Sequence, residues 1–154
     1  YNQANMVLVV LDNSTTAMTG HQPHPGTGRT VMGEIVQKIN IEQVLRGIGV
    51  TEIETINPLE LEASVSCVKR MTEKSGVRAI IFKAPCIAVT KPKAPLHVDQ
   101  DSCISCKKCI RDLGCPAIVM NDGKICIDAS MCTGCHLCSQ VCPVCAIAGG
   151  DDHE

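Results

Sequence analysis

Ten of the twelve cysteines in this chain of 154 residues lie after His97, and they repeat. Cys103, Cys106 and Cys109 are each separated by two residues, and the triplet returns as Cys132, Cys135 and Cys138 at an offset of 29 residues. The flanks repeat as well: VDQDSCISCKKC from Val98 aligns with IDASMCTGCHLC from Ile127. Each triplet is followed by a Cys-Pro pair, Cys115-Pro116 after five residues and Cys142-Pro143 after three. Thiolates at this spacing let one tight loop wrap three corners of an iron–sulfur cube while backbone N–H groups point at the sulfides. The fourth corner needs a thiolate from elsewhere. A proline after that remote cysteine turns the chain away and withholds a donor.

This doubled run resembles the ligand pattern of two-cluster bacterial ferredoxins, in which the fourth Cys of each run ligates the other cluster. The assignment is then Cys103, Cys106, Cys109 and Cys142 for one 4Fe–4S cluster, and Cys132, Cys135, Cys138 and Cys115 for the second. A disulfide framework suits a secreted chain, but no basic region followed by an apolar signal core opens this one. Structural zinc uses two Cys-x2-Cys pairs rather than triplets. Cys67, Cys86, Cys126 and Cys145 fall outside the pattern and are expected to pack as small apolar residues. Iron binding and folding of this half are expected to be coupled.

The remaining chain must position something else. Lys91-Pro92-Lys93-Ala94-Pro95 reads as an extended linker, so the expected organisation is 1–90, a linker at 91–96, and a cluster-binding domain over 97–154. In the first part, Met6–Leu11 (MVLVVL) predicts a strand buried on both faces, and Thr51–Ile56 and Val77–Phe82 predict two more. Pro58–Ser75 repeats apolar residues at helical spacing, with Asn57 as N-cap and Gly76 as stop. A shorter helix is expected over Ile41–Arg46, capped by Asn40. Strand and helix in alternation imply a parallel sheet with right-handed crossovers. Such a sheet needs cover on both faces, so the first part is expected to be the end of a larger α/β domain. A net charge of −2 argues against nucleic acid or anionic membrane as partner. No apolar run approaches the roughly 18 residues of a membrane span.

The first strand runs into LDNSTTAMTGHQPHPGTG, Leu11–Gly28. Ligands of open parallel sheets bind beyond the carboxyl ends of the strands, and structureless loops longer than about 12–15 residues are usually functional or disordered. Asn13, Ser14, Thr15, Thr16 and Thr19 offer neutral oxygens for a hard cation and a phosphate; the alternative is an ordinary polar surface loop. This phrase, followed by the doubled cysteine run, resembles the C-terminal part of the alpha subunit of indolepyruvate ferredoxin oxidoreductases, a branch of the thiamine-diphosphate-dependent 2-oxoacid:ferredoxin oxidoreductases. The resemblance implies a thiamine-diphosphate-binding α/β domain followed by a two-4Fe–4S ferredoxin-like α+β domain. It implies Asn13 as a magnesium ligand through its side chain and Thr15 through its carbonyl. Thr16, Met18, Thr19 and Gly20 would line the cofactor pocket. His21 is a candidate catalytic or substrate-orienting residue, with His24 beside it. The implied partners are a beta subunit, an external ferredoxin, an aryl pyruvate and coenzyme A, and the implied setting is the cytoplasm of an anaerobe. The family's Gly-Asp motif, whose Asp supplies another magnesium ligand, lies upstream of this strand, and the residues that precede Met6 here do not contain it. A fragment or truncated product is therefore expected, one that binds thiamine diphosphate weakly by itself. A stand-alone electron carrier and an oxidoreductase of another 2-oxoacid are the competing readings.

Overall fold

The computed structural model describes residues 2–16 and 22–149. The chain divides into two compact units, Tyr1–Thr90 and Lys91–Glu154.

The first unit contains β1 (Met6–Asp12), α1 (Ile41–Gly47), β2 (Glu52–Ile56), α2 (Leu61–Glu73) and β3 (Val77–Lys83). Its three strands form a parallel sheet in the order β1-β3-β2. The centre falls to β3 because four consecutive residues, Arg78 to Ile81, are buried. Ala79 and Ile81 face α1 and pack with Leu45 and Val50. Ile80 faces the other way and packs with Cys67 and Met71 of α2. The path runs from β1 past β3 to β2 and then back. Right-handed crossovers in opposite directions require helices on opposite faces, and α1 and α2 are so placed.

Two expectations change here. β1 is an edge strand and is not buried on both faces: Val9 is 48% and Leu11 76% exposed. Its residues Leu8 and Val10 reach the α1 cluster, but on the opposite face only Val7 packs with the α2 cluster. The second helix starts at Leu61, three residues later than its periodicity suggests. Asn57 spends its side chain on a turn, accepting from the Leu59 N–H at 3.0 Å. Asn40 does cap α1, accepting from the Gln43 N–H at 3.1 Å.

The second unit contains β4 (Leu96–Val98), α3 (Lys108–Leu113), β5 (Ile118–Asn121), β6 (Lys124–Ile127), α4 (Leu137–Val141) and β7 (Ile147–Gly149). β4 pairs antiparallel with β7, and β5 with β6. Asp122-Gly123, both at positive φ, close the β5–β6 hairpin in the manner of a type I′ turn. The sequence repeat is a repeat of bonds. Asp99 N–H donates to the Ala146 carbonyl at 2.8 Å, and Asp128 N–H to the Ala117 carbonyl at 2.8 Å. The two carboxylates then receive the hydroxyls of Ser102 (2.5 Å) and Ser130 (2.6 Å) respectively. These bonds hold both carboxyl groups below the usual range. Lys93 and Leu96, expected in a free linker, belong to this unit. Lys93 N–H donates to the Thr133 carbonyl at 3.3 Å, and Leu96 is 3% exposed. Leu96 is buried because it walls a cavity together with four cysteines.

Candidate functional site

The first two cysteines of each triplet lie on a loop that ends in a left-handed residue, Lys107 or His136, both at φ 61°. α3 and α4 start immediately afterwards and bury Cys109 and Cys138 in their first turns. The fourth thiol comes from the other copy. Cys103, Cys106, Cys109 and Cys142 line one cavity, walled by Ile104, Ile125 and Ile147. Cys115, Cys132, Cys135 and Cys138 line another of about 120 Å³, walled by Leu96, Ile118 and Ile127. Cys126 and Cys145 line neither; Cys67 and Cys86 belong to the first unit. The unequal gaps before the Cys-Pro pairs are absorbed by Val144-Cys145, which has no counterpart after Pro116. The repeat is back in register at Ala117 and Ala146.

Chemically the two cavities fit an iron–sulfur group. Backbone N–H groups reach sulfur, Leu96 to Cys132 Sγ at 3.5 Å and Ala146 to Cys142 Sγ at 3.3 Å. Burial pushes the Cys138 thiol up to about 11, with the charges of Cys135, Cys132 and Cys115 adding to the effect. Cys109 is raised in the same way, by burial and then by Cys106 and Cys142. No basic side chain lines the second cavity. Four thiolates in so apolar a wall require a cationic core between them. Among the described residues no three His, Cys, Asp or Glu side chains could hold a metal ion.

At one left-handed position the two triplet loops carry different residues. Ser105 and Gly134 correspond, and both have positive φ, 51° and 67°. A Cβ on Gly134 would stand 2.7 Å from the Ala94 carbonyl oxygen and 2.7 Å from Lys93 Cβ. Gly134→Ser is expected to lower the melting temperature of the iron-loaded chain, costing about 1–3 kcal/mol. Ser105→Gly should leave it within about 0.5 kcal/mol, as for an exposed site. Calorimetry of both variants checks the contrast.

In the first unit the polar loop leaves β1 with its base fastened. Ala84 N–H donates to the Asp12 carbonyl at 3.1 Å and Cys86 N–H to the Asn13 carbonyl at 2.8 Å. The Asn13 side-chain oxygen accepts from the Thr15 N–H at 3.2 Å, fixing its direction while leaving a lone pair. Asn13 is exposed and Thr15 half-buried. Asn13 and Asp12 border an open cavity of about 300 Å³ together with Ser64 and Phe82. Asp12 also borders a second one, of about 340 Å³, with Lys38 and Lys83. Both lie where the strands end at their carboxyl side.

The loop is not structureless. Thr16 and Gln22 form an antiparallel bridge across its base, and Arg29 and Ile35 form another. Met18, Thr19, Gly20 and His21 lie outside the described residues. His24 has a structural occupation: its Nδ1 accepts from the Gly26 N–H at 3.1 Å, and its carbonyl accepts from the Thr27 hydroxyl at 2.8 Å. The support from Ala84 and Cys86 was not legible in the sequence, since it depends on β3 lying beside β1.

A family model described as the C-terminal TPP-binding domain of thiamine pyrophosphate enzymes matches residues 1–82. The chain is also similar to proteins named indolepyruvate oxidoreductase subunit IorA. It is 44% identical to that of Methanothermobacter thermautotrophicus over 149 residues, covering 96% of this chain and 24% of that protein. It is 39% identical to that of Archaeoglobus fulgidus and 40% to that of Thermococcus kodakarensis, covering 93% of this chain and 24% of each relative. The chain thus spans about a quarter of the length of these relatives. The parallel sheet, the polar loop at its carboxyl edge and the match over residues 1–82 agree: the chain belongs to the thiamine pyrophosphate enzymes, by its C-terminal TPP-binding domain.

Proposed function

We propose that this chain supplies part of the thiamine-diphosphate site and the electron relay of an indolepyruvate:ferredoxin oxidoreductase. The observation that carries the reading is the gathering of eight cysteines into two four-thiol cavities in the same chain as a TPP-binding domain. The overall reaction would convert an aryl pyruvate and coenzyme A to an aryl-acetyl-CoA and carbon dioxide, with two electrons passing to ferredoxin. Bound thiamine diphosphate supplies the electron sink for decarboxylation. Asn13, through its side-chain oxygen, and Thr15, through its carbonyl, would hold the magnesium ion that neutralises the diphosphate. Thr16, Met18, Thr19 and Gly20 would face the cofactor. His21 would orient the substrate. The Cys86 N–H, which donates to the Asn13 carbonyl, would anchor the backbone from which that side chain extends. Cys103, Cys106, Cys109 and Cys142 would hold one 4Fe–4S cluster, and Cys115, Cys132, Cys135 and Cys138 the other. The beta subunit would complete the enzyme, and the isolated chain would carry electrons only. The setting would be cytoplasmic; among the described residues no helix is long and apolar enough to cross a membrane.

The test is reduction of a viologen dye by the assembled two-subunit enzyme, supplied with coenzyme A and either indolepyruvate or pyruvate. Faster reduction with indolepyruvate is expected. A response to pyruvate alone would assign the chain to another 2-oxoacid oxidoreductase.

A further inference from the structure

We propose that electrons leave this chain through the cluster bound by Cys103, Cys106, Cys109 and Cys142, to an acidic redox protein docked over Ile104, Lys107, Lys108 and Arg111. This rests on the two-cluster reading above and adds the direction of flow.

The repeat provides an internal control, because corresponding residues of the two loops are exposed to different degrees. Residues 104–108 are all exposed, whereas residues 133–137 are all half-buried or buried. Ile104 is 63% exposed. Cys106 is exposed where its counterpart Cys135 is half-buried. The cause is the chain itself. Lys93 and Ala94 lie across Thr133 and Gly134, bonded by the Lys93 N–H. Electron transfer weakens steeply with distance, so the uncovered loop is where an external acceptor comes closest.

Charge points to the kind of acceptor. Lys107, Lys108 and Arg111 stand where the second copy has His136, Leu137 and Gln140. The acidic residues flanking this loop in sequence are Asp99, Asp101 and Asp112; Asp112 is paired with Lys108, and Asp99 is occupied by the Asp101 N–H and the Ser102 hydroxyl. Arg111 Nη2 donates to the Cys106 carbonyl at 3.3 Å, which holds a guanidinium at the loop. An exposed isoleucine within a basic rim is a docking face for an acidic partner, with the rim governing encounter. At this face the acceptor is reduced by one electron as the cluster behind Cys106 is oxidised by one; no bond forms or breaks.

Two measurements on the full reconstituted chain test this. Cys106→Ala and Cys135→Ala each leave one cluster with three protein thiolates, and the three-iron form marks that cluster by its paramagnetic signal. Dysprosium–EDTA added outside should shorten the spin relaxation of the Cys106→Ala marker several-fold more than that of the Cys135→Ala marker. Equal or reversed effects would overturn the exit assignment. Binding of a plant-type two-iron ferredoxin, an acidic carrier, is then measured by calorimetry at low salt. Lys107→Glu with Lys108→Glu should weaken it about tenfold, an effect that fades as salt screens the charges. Lys93→Glu, on the segment that covers the second loop, should change it little. No binding, no loss in the double variant, or a loss with Lys93→Glu overturns the docking face. If neither cysteine variant retains a cluster, the binding comparison decides alone. Iron and sulfide short of two clusters in the unmodified chain would count instead against the two-cluster reading.

Discussion

Chelating iron from the reconstituted chain is expected to unfold the Lys91–Glu154 unit and leave the Tyr1–Thr90 unit folded. The second unit has little else to hold it. Its helices have six and five residues, and its two sheets have two strands each. Neither length is stable alone in water. Its buried side chains are aliphatic residues such as Leu96, Ile118, Ile125 and Ile147, together with Cys109 and Cys138 of the triplets. The cavity walls are made of the thiols that would bind iron, so removing the metal opens the core itself. Metal binding to small structural sites contributes about 10–16 kcal/mol of apparent folding energy in the zinc-finger case. A typical domain has only about 5–15 kcal/mol in total. Hydrogen exchange on the full chain should show protection of β4–β7 amides lost on chelation, with protection of β1, β2 and β3 retained. Persistent protection of the β4–β7 and β5–β6 ladders would show that the protein core suffices without metal.

Arg78→Met is expected to be the most damaging single substitution in the first unit, costing about 2–4 kcal/mol. Arg78 sits in the central strand and is 3% exposed. Among the described residues, none of its hydrogen-bond partners is a carboxylate. Its Nε donates to the Met71 carbonyl at 2.9 Å, and its Nη1 donates to the Gly76 carbonyl and the Asn5 side-chain oxygen. Met71 lies in the last turn of α2, so the cation satisfies a terminal carbonyl and opposes the negative end of the helix dipole. Methionine fills the space but takes the buried donor away from the Met71 carbonyl, whereas the Gly76 carbonyl keeps the Met6 N–H and Asn5 is exposed. For a unit of this size the loss corresponds to about 4–8 °C per kcal/mol. The exposed pairs Arg46–Glu42 and Arg70–Glu54 provide a contrast, since such bridges contribute about 0–1 kcal/mol. Thermal unfolding of Arg78→Met beside Arg46→Met separates the two classes; equal small shifts would contradict the role given to Arg78.

The cysteine pattern was legible because ligand spacing is local and the repeat copies it. The remote partners Cys115 and Cys142 also fall into the cavities that the repeat assigns them. Parallel strands were legible from β-branched runs separated by helical periodicity. What long-range packing decides was not. The order β1-β3-β2 depends on which strand carries the most buried residues, and the reading of β1 as buried on both faces failed for that reason. Asn57 could cap a helix or close a turn, and local sequence does not choose between them. The asymmetry of the two triplet loops arises because residues 93 and 94 fold over residues some forty positions later. The Gly134-for-Ser105 exchange is one trace of it in the sequence, and it carries meaning only once the covering backbone is seen.

In the proposed relay, eight cysteines of one chain hold two 4Fe–4S clusters. Electron paramagnetic resonance of the reconstituted 154-residue chain, reduced with dithionite, tests it most directly. Two S = 1/2 signals broadened by mutual spin coupling are expected, as for clusters held within one small unit. A spectrum without such signals, from a chain that holds zinc or carries a single isolated cluster, would contradict it.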